Sequence, residues 1–192
     1  MVDAVEAGTP VRDVYNFVFQ PCQYELGRLW QMNEISIAEE HYCTAVTQLG
    51  MSLLYPRIPA AERAGHRLLA TCAGGNLHEI GARFVADFFE MEGWDTIYLG
   101  ATLPAEHIVR AVVENDVDVV AVSATLVSHL RAAREIVAAV RHHPACRDVA
   151  VVLGGHPFRV ARDLWLRLGA DGSANDARGA VELAKGLVAA RA

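Results

Sequence analysis

The sequence has few of the features that mark nucleic-acid binders, membrane proteins and secreted proteins. Of its 17 basic residues 16 are arginine, they form no basic stripe, and the net charge of −6 argues against direct nucleic-acid binding. No apolar run approaches the roughly 18 residues of a membrane span, and the first seven residues carry acids where a signal peptide carries basic residues. The four cysteines are widely spaced and include no C-x-x-C pair, which predicts reduced thiols in a cytoplasmic protein.

Several catalytic and nucleotide-binding signatures are also missing. The chain contains no G-x-G-x-x-G, no G-x-x-x-x-G-K-[ST] and no G-x-S-x-G. The first strand predicted below ends in Ala-Gly-Gly, where a response-regulator receiver would carry paired acids. These absences argue against nucleotide-binding P-loops, dinucleotide-binding domains and α/β-hydrolases, and they leave a flavin site open.

The first 60 residues have the pattern of amphipathic helices, because their apolar residues recur every three or four positions. Pro21 predicts a kink or a restart, and Ser36 followed by Glu39 matches a capping box that opens a second long helix. We therefore predict a helical cap over 1–60. Two long helices and the short segment before them are too few to bury all their apolar faces in a helical bundle. We expect a further helix upstream in a longer chain or from a partner; the alternative is a natural start with frayed residues.

From Arg67 onward, short apolar runs alternate with helical patterns, which is typical of βαβ units in a parallel sheet. Several of these runs lack polar alternation, as expected when helices cover both sheet faces. We predict an α/β domain over 67–192 with a doubly wound, five-stranded parallel sheet. The predicted strands are 68–73, 96–99, 117–123, 149–153 and 172–174, and the predicted helices are 80–92, 105–115, 126–142, 158–168 and 177–189.

The loops after these strands are the predicted place for a ligand, because ligands in open α/β sheets bind outside the carboxyl ends of the strands. Glycine and hydroxyl residues dominate there, so the backbone can approach a bulky polar ligand closely. His78 lies in the first of these loops. By position alone it is either a metal ligand or a solvated residue at a helix start.

Four segments together resemble the cobalamin-binding domain family: N-L-H-E-I-G at 76–81, V-S-A-T-L at 122–126, G-G at 154–155 and G-A-D-G-S-A at 169–174. Members of this family have a flavodoxin-like domain preceded by a helical cap bundle. The family motif is Asp-x-His-x-x-G, which His78 and Gly81 match and Asn76 does not. The resemblance implies that His78 is the lower axial ligand of cobalt, in place of the cofactor's own base.

The same resemblance implies further contacts to the cofactor. Ser123 and Thr125 would line a tunnel for the displaced nucleotide tail, and Gly154 and Gly155 would pack against its base, with Ser173 deeper in the pocket. An Asn76 carbonyl could accept the second imidazole N–H of the histidine without a carboxylate's charge, which predicts weaker electron donation to cobalt. The complete implied set in this domain is Asn76, Leu77, His78, Glu79, Gly81, Ser123, Thr125, Leu126, Gly154, Gly155 and Ser173.

In the cap, Trp30 followed after nine residues by Glu40 and His41 resembles the W-x9-E-H pattern of CarH-like photoreceptors. The resemblance implies that Trp30 shields the upper face of adenosylcobalamin and that Glu40, beside His41, contacts the adenosyl group. Gln31 follows Trp30 where the best-known photoreceptors place a histidine, which puts a second histidine ligand after photolysis in doubt.

These resemblances predict a non-catalytic, light-sensing module that signals when light breaks the cobalt–carbon bond of adenosylcobalamin. It would act as a homo-oligomer or through an attached output or sensory domain, without direct contact to nucleic acid or membrane. One alternative is a corrinoid methyl carrier of a methyltransferase system, which needs an open upper face. Another is a heme- or bilin-binding sensory variant of the fold.

Overall fold

The structure, a computed structural model, describes residues 1–191. It divides into two compact units, Met1–Ala60 and the part from Ala61 onward. No helix in the described part combines the length and the apolar character needed to cross a membrane. The first unit contains helices α1 (Val2–Glu6), α2 (Val11–Val14), α3 (Gln20–Gln31) and α4 (Ile37–Leu54), a π-helical turn (Tyr15–Phe19) and a 3-10 turn (Tyr55–Arg57).

The irregularity predicted at Pro21 lies one turn earlier than the proline itself. The backbone stays helical through Pro21, which occupies the first turn of α3, and the preceding turn Tyr15–Phe19 is π-helical. A proline inside a helix has no N–H and crowds the carbonyl four residues before it. A locally widened turn accommodates both effects without ending the helix.

Helix α4 begins with the capping box that its sequence predicts. The Ser36 hydroxyl oxygen accepts the Glu39 N–H at 3.2 Å, and the Glu39 carboxylate accepts the Ser36 N–H at 2.8 Å. These bonds satisfy two of the N–H groups at the helix start. Hydrogen bonds from the backbone and side chain of Ser36 also lower the pKa of Glu39.

The first unit has a small apolar core and a large apolar surface. Gln23 Nε2 on α3 donates to Thr47 Oγ1 on α4 at 2.8 Å, and the buried apolar residues are Val11, Val14, Tyr15, Phe19, Met51 and Leu54. Tyr42 (71% exposed) and Leu49 (60% exposed), both on α4, remain accessible. Apolar side chains of α4 are thus exposed, and the further helix that would cover them stays a prediction.

The second unit is an α/β domain whose strands are all parallel, in the order β2-β1-β3-β4-β5. The strands are β1 (Arg67–Cys72), β2 (Asp95–Gly100), β3 (Val119–Ser123), β4 (Ala150–Gly154) and β5 (Gly172–Ala174). The helices are α5 (Ile80–Glu90), α6 (Ala105–Glu114), α7 (Leu130–His142), α8 (His156–Val160), α9 (Leu164–Leu168) and α10 (Ala177–Ala189). This strand order is flavodoxin-like, so the predicted fold class is confirmed.

Most predicted bounds differ from the observed ones by one or two residues, and three of the differences have an identifiable cause. Strand β3 begins at Val119 instead of 117, because the Val117 N–H is already bonded to the Val112 carbonyl at the end of α6. The helix predicted over 126–142 opens with a 3-10 turn, Val127–His129. The helix predicted over 158–168 is divided into α8 and α9, since Ala161 leaves the helical region at φ −113° and ψ 90°.

The sheet brings the carboxyl ends of its strands level with one another. Cys72 pairs with Ser123, Ser123 with Gly154, and Gly154 with Ala174. The chain changes winding direction between β1 and β3, and this switch point is where open α/β sheets form a crevice. The strands beneath it are buried, with Leu69, Val120, Val151 and Leu153 all fully inaccessible, so the crevice rests on a rigid apolar core.

Candidate functional site

The switch-point crevice is bordered by the loop between β1 and α5 (73–79) and the loop between β3 and α7 (124–129). One side chain joins the first loop to the end of β3. Asn76 is completely buried, its Nδ2 donates to the Ser123 carbonyl at 3.0 Å, and its Oδ1 accepts the His78 backbone N–H at 3.1 Å. Both halves of the amide are therefore used to hold the loop in place.

His78 is exposed, and its imidazole makes no hydrogen bond to any residue in the described chain. Residues 1–191 also contain no group of three or more histidine, cysteine, aspartate or glutamate side chains that could hold a metal ion. Most ligands of a metal bound by His78 must therefore come from a cofactor and not from the protein. A metal held in a macrocycle, as in a corrinoid or a heme, does so.

The hydrogen bond expected between Asn76 and the His78 imidazole is not formed. The Asn76 oxygen accepts the backbone N–H of His78 instead. A side chain two residues before another reaches that backbone N–H easily, in the manner of an Asx turn. The Asn76 oxygen is therefore already used by the main chain of His78, and an additional bond to the imidazole of a cobalt-bound His78 stays a prediction.

A partly buried polar cluster lies next to this loop. The Tyr98 hydroxyl donates to Glu79 Oε2 at 3.2 Å, and the Cys72 thiol lies 3.9 Å from the His78 carbonyl oxygen. Burial, with a smaller contribution from the Glu79 charge, raises the pKa of Cys72 to about 12. The same two causes raise the pKa of Tyr98, so both groups are neutral at physiological pH.

We predict that Cys72 resists alkylation in the native protein. A thiol with a pKa of about 12 has a thiolate fraction at pH 8 that is on the order of 1,000-fold below that of an ordinary cysteine. Exposed Cys22 should react first with iodoacetamide, as followed by mass spectrometry of peptides. All four cysteines should react after denaturation, and rapid native labelling of Cys72 would contradict the burial described.

The other loops of the crevice contribute hydroxyls and glycines. Ser123, Thr125 and Ser173 are half-buried, and none of their hydroxyls has a hydrogen-bond partner among the residues that the structure describes. Gly155 adopts φ +109°, and a Cβ there would lie 2.0 Å from the Ala124 carbonyl oxygen. Only glycine allows the loop after β4 to pass this close to the loop after β3.

The remaining predicted residues of this domain lie at the same edge of the sheet. Leu77 and Leu126 are exposed on the first two loops. Gly81 follows in α5, where a Cβ would lie 3.7 Å from Ser123 Oγ, and Gly154 leaves a similar distance to the Ala174 carbonyl oxygen. The structure therefore brings the loops of β1, β3, β4 and β5 together, as the strand-end argument predicts.

His129 is a residue of this site that the sequence interpretation did not include. The structure buries it, with 8% of its surface exposed, and its Nδ1 accepts the Leu126 backbone N–H at 3.2 Å. Burial and, secondarily, the charge of His78 lower the pKa of His129. Its position in a strand-end loop, directly before a helix, could have indicated from the sequence that it belongs to the site. The crevice therefore contains a second, neutral imidazole near His78.

In the first unit, the three predicted cap residues lie on consecutive helices, as their spacing predicts. Trp30 is in the last turn of α3, and Glu40 and His41 are in the first turn of α4. Glu40 Oε1 accepts the Thr44 hydroxyl at 3.0 Å, and Glu40 Oε2 lies 2.6 Å from His41 Nδ1. Their contact with a cofactor stays a prediction.

Comparison with known proteins follows this division of the chain. A family model described as "B12 binding domain" matches residues 66–183, and a second model with the same description matches residues 1–55. The chain is 23% identical over 189 residues to dimethylamine corrinoid protein 3 of Methanosarcina acetivorans, covering 97% of this chain and 87% of that protein. The monomethylamine corrinoid protein of Methanosarcina barkeri has the same fold, with a TM-score of 0.83 at 20% identity over 95% of this chain and 86% of that one.

The likeness to a repressor is more limited. The HTH-type transcriptional repressor CarA of Myxococcus xanthus is 31% identical over 122 residues, which cover 63% of this chain and 41% of the repressor. The corrinoid protein above matches nearly the whole chain. The predicted light-sensing function is therefore wrong, and closeness to CarH-like photoreceptors is not confirmed. The spacing of Trp30, Glu40 and His41 places them on two helices but does not determine which group lies above the cofactor.

Proposed function

Because this chain belongs to the B12-binding domain family, we propose that it binds a corrinoid and carries a methyl group within a methyltransferase system. The observation that carries the proposal is the match to a dimethylamine corrinoid protein over 97% of this chain. The bound corrinoid would supply a cobalt centre that accepts and releases the methyl group. The chain itself would perform no turnover and would serve partner methyltransferases.

The residues of the crevice fit such a group. His78 offers an exposed imidazole without a protein partner, on a loop that Asn76 holds against the sheet. In this proposal it is the lower ligand of the cobalt. Its backbone is held in place before any cofactor arrives, so little conformational entropy is lost when the imidazole binds.

We assign the nucleotide tail to the neighbouring loops. The hydroxyls of Ser123, Thr125 and Ser173 have no partners in the described chain and can hydrogen-bond a phosphate or ribose without breaking an existing bond. Gly154 and Gly155 keep the wall after β4 free of side chains, so a flat base can approach the backbone. Leu77 and Leu126, which are exposed, would cover apolar edges of the macrocycle.

We keep Trp30, Glu40 and His41 as proposed contacts of the cofactor on the basis of their spacing. A methyl carrier needs an upper face that its partners can reach, so we propose the methyl form as the working cofactor. The sequence pattern favoured the adenosyl form, and the binding measurement below compares the two forms directly. Homo-oligomerisation also stays a prediction, which light scattering of the purified chain would measure.

The proposal is tested by binding and by transfer. The chain, purified without cofactor, is titrated separately with methylcobalamin, hydroxocobalamin and adenosylcobalamin in dim light, and binding is followed by absorption spectra and gel filtration. We expect the methyl and hydroxo forms to bind and the bound, reduced cobalt to be methylated by a methylamine:corrinoid methyltransferase given its substrate. Binding of the adenosyl form alone, or of none of the three, would overturn the proposal.

A further inference from the structure

Asn76 is an unusual residue to find without any solvent contact in a loop. It is fully buried, and its amide connects residues 47 positions apart in sequence, since Nδ2 donates to the Ser123 carbonyl. That carbonyl also accepts the Ala73 N–H at 2.9 Å, and the Asn76 N–H is bonded to the Ala73 carbonyl at 3.0 Å. The start of the loop is therefore tied to the end of β3 by both backbone and side chain.

The chemistry at this position requires an amide. The Ser123 carbonyl can only accept, so its partner must carry a donor, which an aspartate carboxylate lacks. An aspartate in the same place would bring a negatively charged oxygen to within about hydrogen-bond distance of a carbonyl oxygen, buried away from water. Leaving a buried charge without a donor is strongly unfavourable. The asparagine found here is therefore matched to its surroundings.

The clamp has a consequence for His78. The Asn76 oxygen already accepts the His78 backbone N–H, so it orients the histidine through the main chain. His129 cannot act as an acceptor for the imidazole either. Its Nδ1 lone pair is occupied by the Leu126 N–H, and in the neutral ring the proton then resides on Nε2, which makes that atom a donor.

We infer that Asn76 is a positioning residue: its amide clamps the loop after β1 to the end of β3, fixes the backbone of His78, and leaves the imidazole without a side-chain acceptor. The clamp is a property of the chain alone. Its significance for cobalt coordination rests on the proposed function. The two parts are therefore tested separately.

The clamp is tested in the chain without cofactor by amide hydrogen exchange, using NMR, and by thermal unfolding. In Asn76→Ala the His78 N–H loses its acceptor and should exchange at least about 10-fold faster than in the wild type. Asn76→Asp keeps an acceptor for that N–H but loses the donor to Ser123. We expect it to retain part of the protection while its unfolding midpoint falls by about 2–10 °C at neutral pH.

A matched control is available in Asn115, an exposed residue directly after α6 whose Nδ2 donates to the Ala111 carbonyl at 2.8 Å. Asn115→Asp removes the same kind of bond where water can replace it, so its midpoint should move by less than about 2 °C. Unchanged exchange of the His78 amide in Asn76→Ala, or wild-type stability of Asn76→Asp, would overturn the clamp.

The positioning role is tested on the chain loaded with cobalamin in the cobalt(II) state. When the chain is labelled with 15N-histidine, an axial imidazole splits the electron paramagnetic resonance signal through 15N. This distinguishes it from the 14N base of the cofactor, and a purely structural effect would not produce it. We expect Asn76→Ala to lower the histidine-coordinated fraction several-fold and Asn115→Asp to leave it unchanged. A full histidine-coordinated fraction in Asn76→Ala would refute the positioning role. If wild-type chain binds no cobalamin, the proposed function fails, while the exchange experiment still decides the clamp.

Discussion

Replacing His78 with alanine is expected to weaken cobalamin binding by more than about 100-fold, since loss of outer-shell partners alone typically costs 10–100-fold in metal affinity. The imidazole is exposed and has no hydrogen bond to a described residue. Its removal therefore leaves no buried group unsatisfied, and the folded chain should keep its thermal stability. The measurement is a titration with hydroxocobalamin, together with the cobalt(II) signal of protein labelled with 15N-histidine. The 15N splitting should disappear in the variant, whereas a 14N splitting reports the cofactor's own base.

The control for this substitution is His107→Ala. His107 is also an exposed histidine, on helix α6, and removing it should change neither affinity nor spectrum. Free 15N-imidazole added to the His78 variant should restore part of the axial 15N signal, because it can enter the space that the side chain leaves. Undiminished affinity with a retained 15N-histidine splitting in the variant would show that another histidine binds the cobalt.

Replacing Gly155 with alanine is expected to destabilise the second unit by roughly 3 kcal/mol or more, because an L-residue held in a sparsely populated backbone region costs about 1–3 kcal/mol before any steric clash. The φ of Gly155 is +109°, and the added Cβ would lie 2.0 Å from a backbone oxygen of Ala124. Backbone cannot rotate away as a flexible side chain does. The unfolding midpoint should fall by about 6–12 °C, and the loops that border the crevice should separate.

Gly154→Ala is the matched control, one residue earlier at the end of β4. A Cβ at Gly154 would lie 3.7 Å from its nearest neighbour, the Ala174 backbone oxygen, which is ordinary van der Waals contact. Its stability should stay near that of the wild type, although its cobalamin affinity should fall if the tail base packs there. Equal stability of the Gly154 and Gly155 variants would contradict the close approach of the two loops.

Local pattern was sufficient for most of the fold. The buried strands could be predicted because runs such as 68–73 have no polar alternation, and α4 could be placed because Ser36 and Glu39 are three residues apart. The prediction was less accurate at 117–119 and at 126–129. In both places a backbone N–H forms a hydrogen bond with a group outside the predicted strand or helix pattern. Such competition depends on contacts that do not follow from periodicity.

The candidate site divides in the same way. The order of residues along the chain was enough to predict that His78, the hydroxyl residues and the paired glycines follow strands and meet where parallel strands end at one edge of a sheet. Three contacts could be seen only in the folded chain: Asn76 bonds to Ser123, His129 is buried near His78, and Gly155 passes against Ala124. Each of these is a contact between loops from different strands. Which side chain meets which across two loops depends on how the strands pack against each other. The spacing of residues along the chain does not contain that information.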